Sequence, residues 1–258
     1  MGHLRLGELP RTRKWNQVVE LIKSEVNVER VAAATLDAAE KGLRQAADDE
    51  GLSRATWLLT QLPLAARDPR YVERLTELGL PVGGTPQTIE LVAAFSDAVD
   101  AHMRREGGRS DLGEMAQMAA AEALTAILSQ RSRSLFGTTA ADVQRELGAL
   151  ATPKQFGLLA RHFFARLMRR YLSFFLSREL SNHVGGSRRF ENVSAHSEFD
   201  QALDLHCSQA AHIVEEFSGS WFSKTDFEGG ITPEKARHFG HVALKKLRAE
   251  LLRGGKAD

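Results

Sequence analysis

Thr152–Val184 reads TPKQFGLLARHFFARLMRRYLSFFLSRELSNHV, and the rhythm of its apolar residues decides the fold class. Thr152-Pro153 has the form of a helix cap followed by proline at the first helical position, where the missing N–H costs little. Phe156, Leu159, Phe163, Leu167, Tyr171 and Leu180 then fall at helical intervals. A continuous helix over 153–184 would extend roughly 48 Å at about 1.5 Å per residue. The radius of gyration expected for a compact chain of this size is about 18 Å. This helix is therefore expected to cross the body and act as its spine. Phe163-Phe164 and Phe174-Phe175 put aromatic rings on neighbouring angular sectors, which demands packing from more than one direction.

The polar side of the same segment is strongly basic. Residues 151–190 hold eight Lys or Arg and one carboxylate, Glu179. Arg161, Arg166, Arg169, Arg170 and Arg178 would be expensive in hydrocarbon, which argues against a membrane helix. Arg166, Arg169, Arg170, Ser173, Ser177 and Ser181 form a polar stripe at three- and four-residue intervals. Guanidinium groups there, with Arg188 and Arg189 beyond, could hold phosphates or acidic protein groups. Residues 196–228 carry seven carboxylates against the single Lys224. That acidic stretch is expected to cover the basic one, or to meet it across a subunit interface.

Away from the spine, the 258 residues read as mostly helix, with five double glycines as punctuation. Helices are expected near 13–26, 28–49, 53–66, 69–79, 86–106 and 111–135, then near 140–148, 197–218 and 233–253. Thr85-Pro86 and Thr232-Pro233 repeat the cap-and-proline pattern, and Thr139/Asp142 and Ser197/Asp200 have capping-box spacing. Alternating β-branched runs are scarce and no βα alternation is evident. The expected fold is all-α, an irregular bundle of about eight to ten helices around a long central one. An aromatic-rich loop is expected near 219–230, where Trp221, Phe222 and Phe227 would anchor the loop or present a binding knob. An N-terminal arm over 1–12, a helical domain over 13–253 with a subdivision near 80–86, and a tail over 254–258 complete the expected organisation.

Composition narrows the function classes. The 34 basic and 33 acidic residues leave a formal charge of +1, which gives no argument for bulk attraction to nucleic acid. Cys207 is the single cysteine, so an intrachain disulfide and an all-cysteine zinc site are excluded. The longest stretches free of charged residues, Ala55–Ala66 and Leu78–Ile89, run to 12 residues, and a bilayer span needs about 20. With no signal-peptide pattern at the start, the expected setting is the cytoplasm.

Short catalytic motifs are missing: no Gly-x-Ser-x-Gly elbow, no Walker A loop, no Gly-x-Gly-x-x-Gly and no His-Glu-x-x-His. His196, Asp200, Asp204 and Cys207 share one face of a helix, with His206 and His212 on neighbouring sectors. These are weak metal-ligand candidates, because one helix spreads them over several turns and further ligands must come from elsewhere. No cofactor is implied. The first expectation is a non-enzymatic interaction or accessory subunit, bound to another protein or to itself. The alternatives are nucleic-acid binding through the Arg-rich 154–189 face and a small-molecule or metal-dependent enzyme using a His/Asp cluster near 196–241.

Overall fold

Many helix starts carry side-chain caps, but Thr152, expected to cap the spine, makes no such bond and its hydroxyl donates back to the Ala149 carbonyl. Thr12 accepts from the backbone N–H of Trp15, Asn27 from Arg30, Asp49 from Leu52, Asn192 from Ala195 and Thr232 from Lys235. Thr139 and Asp142 form a reciprocal capping box. Each cap satisfies an N–H that the first helical turn leaves without a partner. The computed structural model describes residues 12–106, 108–131, 139–186 and 188–256. Most of the expected N-terminal arm and the last two residues of the expected tail lie outside that range.

In chain order the helices are α1 (Arg13–Lys23), α2 (Val28–Ala38), α3 (Glu40–Arg44), α4 (Glu50–Ala65), α5 (Tyr71–Glu77) and α6 (Thr88–Glu106). They continue with α7 (Asp111–Arg131), α8 (Ala140–Ala149), α9 (Pro153–Leu180), α10 (Val193–Ala210), α11 (His212–Phe227) and α12 (Pro233–Gly254). Short 3-10 turns follow α3 and α9. Among the described residues there is no sheet, and a lone bridge joins Val184 to Phe190. The fold is the all-α irregular bundle that the sequence implies, and α7, α10, α11, α2 and α12 all pack on α9. No helix among the described residues is long and apolar enough to cross a membrane.

Several boundaries differ from the sequence reading: the spine expected over 153–184 is α-helical to Leu180 and ends in a 3-10 turn, and the helix expected over 197–218 breaks at Ala211. The expected helix over 28–49 is split at Ala39, whose carbonyl accepts a hydrogen bond from the buried Tyr171 hydroxyl on α9. Ser197 is not a cap: Asn192 starts α10 earlier and leaves Ser197 inside the helix. The aromatic stretch expected as a loop near 219–230 is helical to Phe227, and the turn is confined to 228–232. Val214, Ser218, Phe222 and Thr225 are buried at four-, four- and three-residue spacing, so a helix face was present in the sequence. Gly219 hides that pattern, since glycine weakens a helix by about 1 kcal/mol relative to alanine.

Gly219 is required by a close approach. A Cβ there would collide with the carbonyl of Pro153, and one at Gly157 would lie 2.9 Å from the carbonyl oxygen of Glu215. These two glycines let α9 and α11 meet backbone to backbone. Phe222 then stacks on Phe156 and Trp221 on Phe239, each at 4.1 Å between ring centroids. Phe163 and Phe164 are both buried and meet edge to face at 4.7 Å, which fills two sectors of α9 at once.

Arginines from elsewhere in the chain hold the negative ends of several helices. Arg189 donates to the carbonyls of Leu21 and Ile22 in the last turn of α1, at 3.3 and 3.0 Å, and to that of Val26 in the connection to α2, at 2.7 Å. Arg54 donates to Leu78 at the end of α5, and Arg67 to Gly148 in the last turn of α8. Carbonyls left without helical partners are satisfied by cations where the helix dipole favours them.

Replacing Gly219 by Ala should lower stability by about 1–3 kcal/mol through overpacking, despite alanine's better helix propensity. Gly84→Ala, where a Cβ would meet nothing within 4 Å, should stay within about 0.5 kcal/mol of the parent. Chemical denaturation of the two variants measures both.

Candidate functional site: an arginine-lined groove

The stripe of basic residues on α9 is interrupted by Ala165, and that small residue makes room for a recess. Arg161, Ala165 and Arg169 follow one another at four-residue steps, with His162 and Arg166 alongside. Helix α7 forms one wall with Ala121, Glu122, Thr125 and Ala126, and α10 forms the other with Asp204 and Ser208. The resulting groove has a volume of about 730 Å³. Volumes of roughly 300–1,000 Å³ accommodate small ligands or a peptide side chain with its neighbours.

Carboxylates from three helices enter the same region. Arg161 pairs with Glu215 of α11 at 3.1 Å and donates to the Ser208 carbonyl near the end of α10. Arg169 Nε lies 3.3 Å from Asp204, yet that buried N–H has no hydrogen-bond acceptor. Arg170 donates to Glu122 of α7, and the Arg166 Nε stands 3.9 Å from the same carboxylate. Four arginines thus face three carboxylates, with Glu122 shared between two of them.

Arg166 also donates through Nη1 to His162 Nδ1 at 2.9 Å and to the His162 carbonyl at 3.1 Å. A histidine that accepts from a guanidinium must be neutral. Its pKa is pushed below the usual value, first by desolvation, then by the positive charges of Arg166 and Arg161, with Glu215 opposing. His162 therefore acts as a neutral wedge that orients Arg166 while the groove keeps a positive excess.

The remaining residues singled out by sequence are scattered. Arg170 lies beside the groove; Arg178 is exposed and stacks on Phe174 at 4.6 Å, and Arg188 donates to the Asn182 carbonyl. Arg189 is held against α1 and over the rings of Phe190 and Phe199. Trp221 is half-buried and Phe222 buried; Phe227 is 91% exposed. The serines at 177 and 181 lie past the groove, where the Ser181 hydroxyl donates to the Ser177 carbonyl.

The metal-ligand candidates do not converge. His196 stands 4.0 Å from Asp200 and edge-on to Phe190, and His212 stands 3.4 Å from Glu215. His206 is buried against Gly254 at the end of α12, with its Nε2 unpartnered. Cys207 is buried, and desolvation, helped by Asp204, pushes its thiol up to about 12, so it is no nucleophile at neutral pH. Asp204 belongs to the groove. Among the described residues no group of three or more His, Cys, Asp or Glu side chains could hold a metal ion.

Sequence reading found the α9 arginines and Asp204 but missed Glu122, His162 and the alanine walls. Nothing in the local pattern of α7 marks Glu122, because its role comes from the packing of α7 on α9. No protein-family model, curated protein or solved structure matches this chain.

Arg189→Ala should cost about 2 kcal/mol of stability by freeing three carbonyls, read from the denaturation midpoint, without altering the groove. A histidine whose pKa is lowered on folding penalises the folded state as it charges. For His162 the stabilisation is complete above the unfolded pKa of about 6.5 and is lost as pH falls through the lower folded value. His162→Gln should therefore flatten part of the fall in stability between about pH 7.5 and 5.

Proposed function

We propose that this chain is a non-enzymatic helical interaction or accessory subunit that holds an acidic group of a partner protein in the groove over α9. The observation that carries this reading is the set of four half-buried arginines facing three carboxylates around a recess of about 730 Å³. The guanidiniums are fixed by packing and by their neighbours before any partner arrives, so little side-chain freedom remains to be lost on binding. Arg161, Arg166, Arg169 and Arg170 are the binding residues of this proposal. Arg178, Arg188 and the exposed Phe227 are outlying contacts for a larger partner surface.

The apolar spine itself is a poor candidate for the contact, because Phe156, Phe163, Phe164 and Phe175 are already buried within the chain. A nucleic-acid strand is less well served, since a duplex or single strand needs a continuous basic track. Here Glu122 and Asp204 interrupt the arginines, and Arg189 is committed to α1 carbonyls. An enzymatic reading is less well served, since His162, the histidine of the groove, already accepts from Arg166 and is not a free base. The cytoplasmic setting belongs to the same proposal and rests on a single, buried cysteine.

The test is affinity purification from native extract with the parent chain, the Arg166→Gln/Arg169→Gln variant and a Lys23→Gln control. A stoichiometric protein partner should remain with parent and control and fall by about tenfold or more with the groove variant, a loss of about 1.4 kcal/mol. Equal recovery on all three, or recovery of nucleic acid in place of protein, overturns the reading.

A further inference from the structure

Resting on the docking function just proposed, we infer that the acidic group the groove takes is a phosphoryl group on a partner's side chain rather than a carboxylate. Glu122 supplies a carboxylate to Arg166 and Arg170, and Asp204 supplies one to Arg169. An incoming carboxylate would exchange one singly charged group for another, and the displaced Glu122 would have to be re-solvated. That exchange yields little. A phosphoryl group carries about two negative charges near neutral pH and three acceptor oxygens, so it outcompetes a resident carboxylate at the same guanidiniums.

The donors are arranged for such a group. Arg166 commits Nη1 to His162, while its Nε stands 3.9 Å from Glu122, beyond hydrogen-bond reach. Arg169 keeps a buried Nε–H with no acceptor, although Asp204 lies 3.3 Å away. A buried N–H left unmade is costly and is repaid when an acceptor of suitable geometry arrives. These two arginines are three residues apart on one helix face, and Ala165, next to Arg166 and one turn before Arg169, leaves space beside them for a tetrahedral group.

Glu122 is then an internal competitor that holds the arginines until a doubly charged ligand displaces it. This predicts a gain of binding on removing a charge, which a merely structural ion pair would not produce. One phosphate is favoured over a polyanion, because Glu122 and Asp204 bound the recess on its α7 and α10 sides.

The experiment is titration calorimetry of the intact chain with short alanine peptides carrying one phosphoserine, one glutamate or one unmodified serine. Inorganic phosphate and a short oligothymidylate are run alongside. The phosphoserine peptide should bind about tenfold tighter than the glutamate peptide. Arg166→Gln and Arg169→Gln should each weaken it about tenfold, and Glu122→Gln should tighten it about threefold. The inference is overturned if the glutamate peptide binds as well as the phosphoserine peptide. It is likewise overturned if Glu122→Gln weakens binding while the circular dichroism of the helices is unchanged. Inorganic phosphate binding as tightly as the phosphopeptide would assign the groove to a small free ligand, and tighter oligothymidylate binding would assign it to nucleic acid; either result removes the protein-borne phosphate. If the purified partner still depends on Arg166 and Arg169 but no phosphopeptide binds, this inference fails and the docking reading stands. If the partner is indifferent to those arginines, the docking reading fails whatever the peptides do.

Discussion

The burial of α9 from several directions is the constraint on which the rest of the molecule depends. Its aromatic residues occupy neighbouring sectors, so no single partner helix could cover them, and five helices pack against it. Gly157 and Gly219 let α11 approach so closely that Phe222 stacks on Phe156 and Trp221 on Phe239. With those sectors filled, the strip around His162, Ala165 and Arg169 is left open between α7 and α10. The groove is therefore a by-product of how the apolar faces are satisfied, and its charge follows from which residues stand on that strip.

Half-burial sets the electrostatic character of the groove. An arginine keeps its charge under almost any condition, so the chain must answer each one with a carboxylate, a carbonyl or solvent. Arg161 is answered by Glu215 and the end of α10. Arg170 and Arg166 share Glu122, and Arg166 takes a neutral histidine in addition. The result is a positive excess held in fixed geometry.

Elsewhere the same residue type does a different job. Arg189, Arg54 and Arg67 reach across the fold to carbonyls at the ends of α1, α5 and α8. Arg54 also lies over the ring of Trp57 and is desolvated enough that its pKa falls to about 10. These arginines cap helices while Arg161, Arg166 and Arg169 of α9 line the groove, and their local sequence surroundings do not distinguish the two. Arg188 and Arg189 are adjacent, yet the first bonds locally to Asn182 and the second clasps a helix more than 160 residues away in sequence.

The sequence by itself determined that the fold is all-helical, that a long helix beginning at Pro153 is its spine and that this helix carries a basic side. Those features rest on periodicity, caps and composition, which act over a few residues. It also held the α11 helix in the spacing of Val214, Ser218, Phe222 and Thr225, although Gly219 and the surrounding polar residues masked it as a loop. Tertiary structure decided which arginines remain available, because Arg189 is withdrawn by carbonyls of α1, and Glu122 and Asp204 reach the groove from two other helices. It also decided that the His/Asp/Cys positions of α10 do not converge, since Cys207 and His206 turn inward while Asp204 meets Arg169. Charge pairing depends on distances of a few ångströms between helices far apart along the chain, and local spacing carries no record of them.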